Sequence, residues 1–284
     1  MPSRSTARST LLRYRIRLQR LFQFSESHSM LLWAAVVGFL GALATVLFRE
    51  CIYGLQSLLT GHSGSFVAMA KSLPWWMRLL LPAAGGLLAG AILVLAKRVP
   101  SSATSDYMEA VAIGDGNIPV RQSLLRSLSS LATVVSGGSI GREGPMVQLA
   151  ALAASLVGRF THFSPARLRL LVACGAAAGI TSAYNAPIAG AFFVTEIVLG
   201  AIVMESFGPV VVASVVANIT MRELPGYHPA YEMPPFPPVA GIEILWFVLL
   251  GIMAGVAAPQ FLRLLAFSKK LFTRTALPLP PALA

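Results

Sequence analysis

Charge is what this sequence has least of. Asp, Glu, Lys and Arg make up 12% of its 284 residues, against about a quarter in soluble domains, while 56% are hydrophobic. That balance excludes an ordinary soluble domain and predicts an all-α polytopic membrane protein with roughly eight to ten helical segments. Cysteine is nearly absent. Cys51 and Cys174 stand alone in apolar surroundings, which excludes a disulfide framework and a thiolate metal site. The four histidines, His28, His62, His162 and His228, are scattered along the chain. No metal cluster is visible, and no cofactor is expected. A cleavable leader is not expected either, because the first long apolar run begins only near Met30 and no clear small-residue cleavage site follows it.

Acids are scarcer than bases, 11 against 22, for a net charge of +11. Much of the excess sits at the start: Arg4, Arg8, Arg13, Arg15, Arg17 and Arg20, with no acid among them. Basic segments beside a span stay cytoplasmic, so residues 1–29 read as a basic cytoplasmic arm. Within it Leu11–Leu21 has the composition of an amphipathic helix for the inner membrane surface. A nucleic-acid arm would need an aromatic stacking platform, and there is none, so nucleic acid is not an expected partner. The bilayer is.

Met30 to Leu47 is an unbroken apolar run, ended by Arg49 and Glu50, and Leu79 to Ala96 is a second, followed by Lys97 and Arg98. Between them Gly61 to Gly64 reads as a loop and Trp75-Trp76 as an interfacial anchor. Two crossings bring the chain back to the side of the arm, and positive charge is there again. Beyond Arg98 the apolar stretches shorten: Tyr107 to Ile113, Leu124 to Val135, Met146 to Val157, Leu168 to Ile180, Ile188 to Met204 and Pro209 to Ile219. Most are too short for a straight crossing. Irregular backbone at membrane depth survives only when buried in protein or lining a wet cavity, so this region predicts broken, tilted and re-entrant helices around a solute pathway. Leu224 to Val239 carries six prolines and reads as a surface loop, Gly241 to Phe267 as a last span, and residues 273–284 as a tail.

The stretch Ser-Gly-Gly-Ser-Ile-Gly-Arg-Glu-Gly-Pro, 136 to 145, places two charges among glycines. Gly137, Gly138, Gly141 and Gly144 allow tight turns and close approach of amides to a ligand, and Pro145 suits a first helical turn. A glycine loop feeding a helix N-terminus is an anion site in waiting. Glu143 at its mouth is itself an anion, able to occupy the place of a mobile one and to leave on protonation. The alternative is a structural ion pair between Arg142 and Glu143. A phosphate-gripping loop is excluded by spacing, since no Lys-Ser/Thr follows the glycines. An enzyme using Glu143 as general base would lack a paired His, Asp or metal, so the chain is not expected to be an enzyme. Ser102 to Glu109 can cap a short helix, with Thr104 and Ser105 offering hydroxyl donors to an anion or merely capping. Gly114 to Pro119 reads as a turn. Asn185 can cap, and Pro187 fits a first turn, where the chain breaks before another helix. Glu196 on that helix can relay protons or simply pair with a neighbour.

Gly141-Arg142-Glu143-Gly144-Pro145 resembles the G-[KR]-E-G-P motif of the ClC chloride channel and transporter family. Cys174 to Gly179 and Tyr184 to Gly190 look like that family's GAAAG and FNAPLAG segment, in the same order and spacing. Thr104 to Ala110 looks most like its bacterial ClcB-type branch. The resemblance implies a ClC-type fold of broken and re-entrant helices, here the first inverted repeat plus the start of the second. Residues 30–223 would be the first repeat, 224–240 the loop and 241–272 the opening helix of the second. It implies a homodimer with one anion pathway per subunit. Glu143 would be the gating glutamate, with Gly141, Arg142, Gly144 and Pro145 shaping the anion loop, and Ser105 would coordinate the central anion. It further implies chloride transport across a bacterial inner membrane, ClC-type and voltage-gated, serving as an electrical shunt in acid.

Three departures stand out. Thr104-Ser105-Asp106-Tyr107-Met108 replaces the family's G-S-G-I-P. Ile197, beside Glu196, holds the place of the inner glutamate of proton-coupled members, which favours passive conduction, or coupling by another route, over the usual chloride/proton antiport. The family's G-x-F-x-P motif and late tyrosine are not found, which leaves a truncated, non-transporting fragment as a further reading.

Overall fold

The computed structural model describes residues 26–60, 71, 73–98, 106–138, 140–200, 203–224, 241 and 243–274. Among them are nine α-helices and no strand: α1 Glu26–Thr60, α2 Trp75–Arg98, α3 Tyr107–Ala112, α4 Val120–Val135, α5 Glu143–Phe160, α6 Pro165–Tyr184, α7 Pro187–Phe193, α8 Met204–Glu223 and α9 Glu243–Arg274. A π-turn, Val194–Val198, continues α7. Five helices are long and apolar enough to cross a membrane: Ser29–Leu59, Trp75–Ala96, Pro165–Tyr184, Met204–Glu223 and Glu243–Ser268. The expected arm up to residue 25, the Gly61 to Gly64 loop, Ser105, the proline-rich loop and the tail from 275 lie outside the described residues.

Two expectations are corrected. Arg49 and Glu50 end the apolar run but not the helix, and α1 continues to Thr60. Both are good helix formers, and their side chains approach to 3.9 Å, so they interrupt hydropathy without interrupting the backbone ladder. Likewise α6 and α8 each reach 20 residues, enough to cross. Arg167, Arg169 and Arg222 shorten their apolar stretches while the helices run through them.

The chain forms two compact units. The first holds Met1–Val46, Ala103–Pro119 and Met146–Pro225. Its centre is α6, where Val172, Ala173, Cys174, Ala176, Ala177 and Ala178 are fully buried. Small residues let the neighbours come close. A Cβ on Gly175 would lie 2.6 Å from Ala154 Cβ and 2.7 Å from the Ala150 carbonyl oxygen, and one on Gly179 would lie 2.7 Å from Val147 Cα. On α1, a Cβ on Gly38 would meet the Ala213 carbonyl of α8 at 2.5 Å. Ala42, Ala178, Ala217 and Met221 complete this contact. Polar groups are tied down as well. Asp106 caps α3 by accepting from the Met108 amide at 2.8 Å. The turn after α3 is held by buried Ser155, whose hydroxyl donates to the Gly116 carbonyl at 2.8 Å and accepts from the Ile118 amide at 3.0 Å.

Asn185 caps, as the sequence suggested, and the helix it caps is α6. It closes α6 with a left-handed backbone, φ 56°, and its amide donates to the Thr181 carbonyl at 2.7 Å. Asn tolerates this conformation better than most side chains. Its Oδ1 accepts from Asn218 Nδ2 of α8 at 2.6 Å. Pro187 then opens α7 as expected.

The second unit holds Leu47–Ser102, Val120–Pro145 and Gly226–Ala284. Here α2 and α4 pack through small and hydroxylic residues. Ser129 Oγ donates to the Ala89 carbonyl at 3.0 Å, and any Cβ on Gly85 would collide with Ser136. Ser123, Ser127 and Ser129 are buried, while Leu124, Leu128, Leu79, Leu80, Leu87 and Leu88 are exposed. Small polar residues inward and leucines outward is the reverse of a water-soluble fold and the expected order where the surroundings are lipid.

Gly175→Val should lower stability by roughly 1–3 kcal/mol through overpacking, whereas Gly54→Ala, with nothing within 4 Å of the added Cβ, should be neutral or slightly stabilising. Thermal melting of the two purified variants side by side tests the contrast.

Candidate functional site

The glycine-rich stretch divides into two parts with different tasks. The first part caps α4. The Gly138 amide donates to the Thr133 carbonyl at 2.8 Å and the Gly137 amide to the Val134 carbonyl at 3.1 Å, with Gly137 left-handed at φ 96°. This is the Schellman arrangement, which uses up a helix's terminal carbonyls. The Ser136 hydroxyl also turns inward, donating to the Thr133 carbonyl at 2.9 Å. Gly137 and Gly138 therefore do not present amides to a ligand, as the sequence alone suggested. The signal was a Gly-Gly pair directly behind an amphipathic run, which marks a C-cap.

The second part is Gly141 to Pro145. Gly141 is left-handed at φ 65°, and Glu143 is the first residue of α5. A Cβ on Gly141 would lie 2.9 Å from Glu143 Oε2. The carboxylate is thus folded back over the Gly141 backbone, at the positive end of an 18-residue helix. Glycine is required there twice, for the backbone angle and for the space the carboxylate fills. Among the described residues no turn bond uses the amides of Gly141, Arg142, Glu143 or Gly144, and Pro145 has none to offer.

Arg142 and Glu143 form no ion pair with each other. Both are partly exposed, and the structural salt bridge that the sequence left open is not made. Such a site can hold one small anion, supplied either by the chain's own carboxylate or by a mobile ion.

Glu196 belongs to the other unit and lies in the π-turn, exposed. Its neighbour Thr195 is fully buried and donates to both the Ala191 and Phe192 carbonyls at 3.0 Å, loading two acceptors at the point where the ladder widens. No periodicity in the sequence announces that π-turn. Ser105, the expected second anion ligand, lies outside the described residues.

Comparison with known proteins decides the lineage. The model of the voltage gated chloride channel family matches residues 85–284. This chain belongs to that family. Among its curated relatives, a ClcB-like protein of Ralstonia nicotianae is 55% identical over 254 residues, which cover 88% of this chain and 59% of the relative. The voltage-gated ClC-type chloride channel ClcB of Yersinia pestis is 44% identical over 251 residues, covering 87% and 60%. The chain thus spans about 60% of the length of the curated relatives it matches.

Two solved structures share the ClC fold, each at 23% identity and over 89% of this chain. A slow cyanobacterial Cl−/H+ antiporter aligns with a TM-score of 0.66 over 60% of its own chain, and a CLC-type fluoride/proton antiporter with 0.70 over 61%. Family and apolar helices together make this a multi-pass membrane protein.

Glu143→Ala, which removes the carboxylate and leaves the left-handed Gly141 unstrained, should strengthen anion binding severalfold. Chloride titration monitored by calorimetry reads this directly; unchanged affinity would mean that the carboxylate does not occupy the anion's place.

Proposed function

We propose that the protein carries chloride across a bacterial inner membrane, with Glu143 as the movable group that competes with the ion. The observation that carries this reading is the Glu143 carboxylate folded over left-handed Gly141 at the start of α5, without an ion pair to Arg142. A carboxylate in that place is held by amide dipoles and released by protonation, so anion access rises as pH falls. Gly141, Gly144 and Pro145 shape the loop, Arg142 adds positive charge beside it, and Ser105 contributes a second anion contact.

The family relationship supports a homodimer with one pathway per subunit. The arginine-rich arm supports a cytoplasmic N-terminus, because Lys97 and Arg98 recur on the same side after two crossings. The protein works as a transporter and not as an enzyme, and it needs no cofactor. In acid such a pathway serves as an electrical shunt for proton export. Proton-coupled exchange is the second reading. Glu196, ionisable and exposed in a π-turn, is the observation in its favour, and Ile197 beside it weighs against.

Glu143→Gln should mimic the protonated state. In reconstituted vesicles chloride flux should lose its pH dependence and stay at its acid level up to neutral pH. A variant that retains the full pH profile would remove Glu143 from the gate. A pH electrode in the same experiment separates the two readings, since flux without proton movement excludes antiport.

A further inference from the structure

Away from the loop, the other end of α5 forms a second polar site. The helix closes in a Schellman turn: the Phe163 amide donates to the Gly158 carbonyl at 3.1 Å and the His162 amide to the Arg159 carbonyl at 3.2 Å. The residue in the left-handed position is His162, at φ 54°. Glycine fills this position easily, and a histidine there is strained. A strained residue at a surface turn calls for a reason in its side chain.

That side chain lines a cavity of about 320 Å³ together with Asp115, Asn117, Arg159, Phe163 and Leu168. One wall is fixed in advance. Asp115 and Asn117 flank Gly116 in the turn pinned by Ser155, and a Cβ on Gly116 would come within 2.9 Å of the Arg169 amide nitrogen. Arg159 and His162 line the same cavity. Among the described residues Asp115 and Arg159 make no ion pair, so opposite charges face one space without neutralising each other. The floor is apolar: buried Leu168 and Phe163, whose ring meets Trp33 of α1 edge-on at 5.8 Å and 87°.

Two candidate spans of this unit begin here, Ser29–Leu59 and Pro165–Tyr184, and the Trp33–Phe163 contact joins their starts. A cleft lined by charged and apolar residues, with an indole beside it and two candidate spans starting near it, has the chemistry a lipid headgroup requires.

We propose that this cavity binds the headgroup of a phosphatidylethanolamine-type lipid. Its phosphodiester would accept from Arg159 and His162. Its primary ammonium would donate to the Asp115 carboxylate and the Asn117 carbonyl. A purely anionic headgroup would leave Asp115 facing like charge, and a choline headgroup has no N–H to donate. The inference does not depend on chloride passage and stands or falls on lipid retention alone.

The test measures lipids kept by the detergent-purified full chain after exchange against equimolar phosphatidylethanolamine and phosphatidylcholine. The wild type should favour ethanolamine by about fivefold, the worth of one charge-assisted hydrogen bond near water. Retention should fall stepwise as the amine is methylated, a readout that needs no variant. Asp115→Asn should bring the ratio toward one, whereas Arg159→Gln should lower retention of both lipids. His162→Asn, which tolerates the left-handed turn, should lower retention with the melting temperature unchanged. Equal retention of the two lipids by the wild type, tighter retention of phosphatidylglycerol than of phosphatidylethanolamine in a parallel equimolar exchange, or an unchanged ratio in Asp115→Asn would overturn the proposal. So would displacement of the lipid by millimolar soluble phosphoethanolamine, which would assign the cavity to a water-soluble ligand.

Discussion

Close approach of helix backbones through glycine and alanine is the constraint on which the rest of the first unit depends. In lipid, burial of large apolar side chains gives little advantage, because hydrocarbon surrounds them in either state. Helices then associate by dispersion contacts at short range, and those require that nothing larger than a methyl group stands between them. Gly175 against Ala150 and Ala154, Gly179 against Val147, and Gly38 against Ala213 are such contacts. They make α6 a rigid post around which α1, α5 and α8 are set.

Both ends of α5 show how one capping geometry serves different purposes. Before its N-terminus, the Schellman turn of α4 consumes Gly137 and Gly138, and the chain then leaves a short run of amides unpaired under the Glu143 carboxylate. At its C-terminus the same hydrogen-bond pattern closes the helix with a histidine in the strained position. In the first case glycine makes the turn and Glu143 follows it at the start of the next helix. In the second the turn residue itself carries a functional group into a cavity.

Much of this was legible in the residue order. The apolar spans beginning at Met30 and Leu79 and the capping preference around Asp106 follow from residue type and spacing. The loop from Gly141 to Pro145 was legible as a glycine turn feeding a helix start, because glycine and a first-turn proline both favour that geometry. Other features were not legible. Arg49 and Glu50 interrupt a hydropathy profile but not a helix, since helicity depends on backbone hydrogen bonds that charged residues form as well as leucines do. Asn185 suits either side of a helix break, and only the position of Asn218 on α8 shows which side it takes. The π-turn at Glu196 depends on where Thr195 finds carbonyls, which no pattern of apolar residues encodes.

The sequence by itself determined the solvent, the class of fold and the glycine turn that opens α5, because each rests on composition or on neighbours a few residues apart. Tertiary structure alone decided that Arg142 and Glu143 do not pair, that the carboxylate lies over Gly141, and that Asp115, Arg159 and His162 surround one cavity. These are relations between side-chain positions in space. They depend on rotamers and on the packing of distant segments, and the sum of contacts that selects them exists only once the chain has closed on itself.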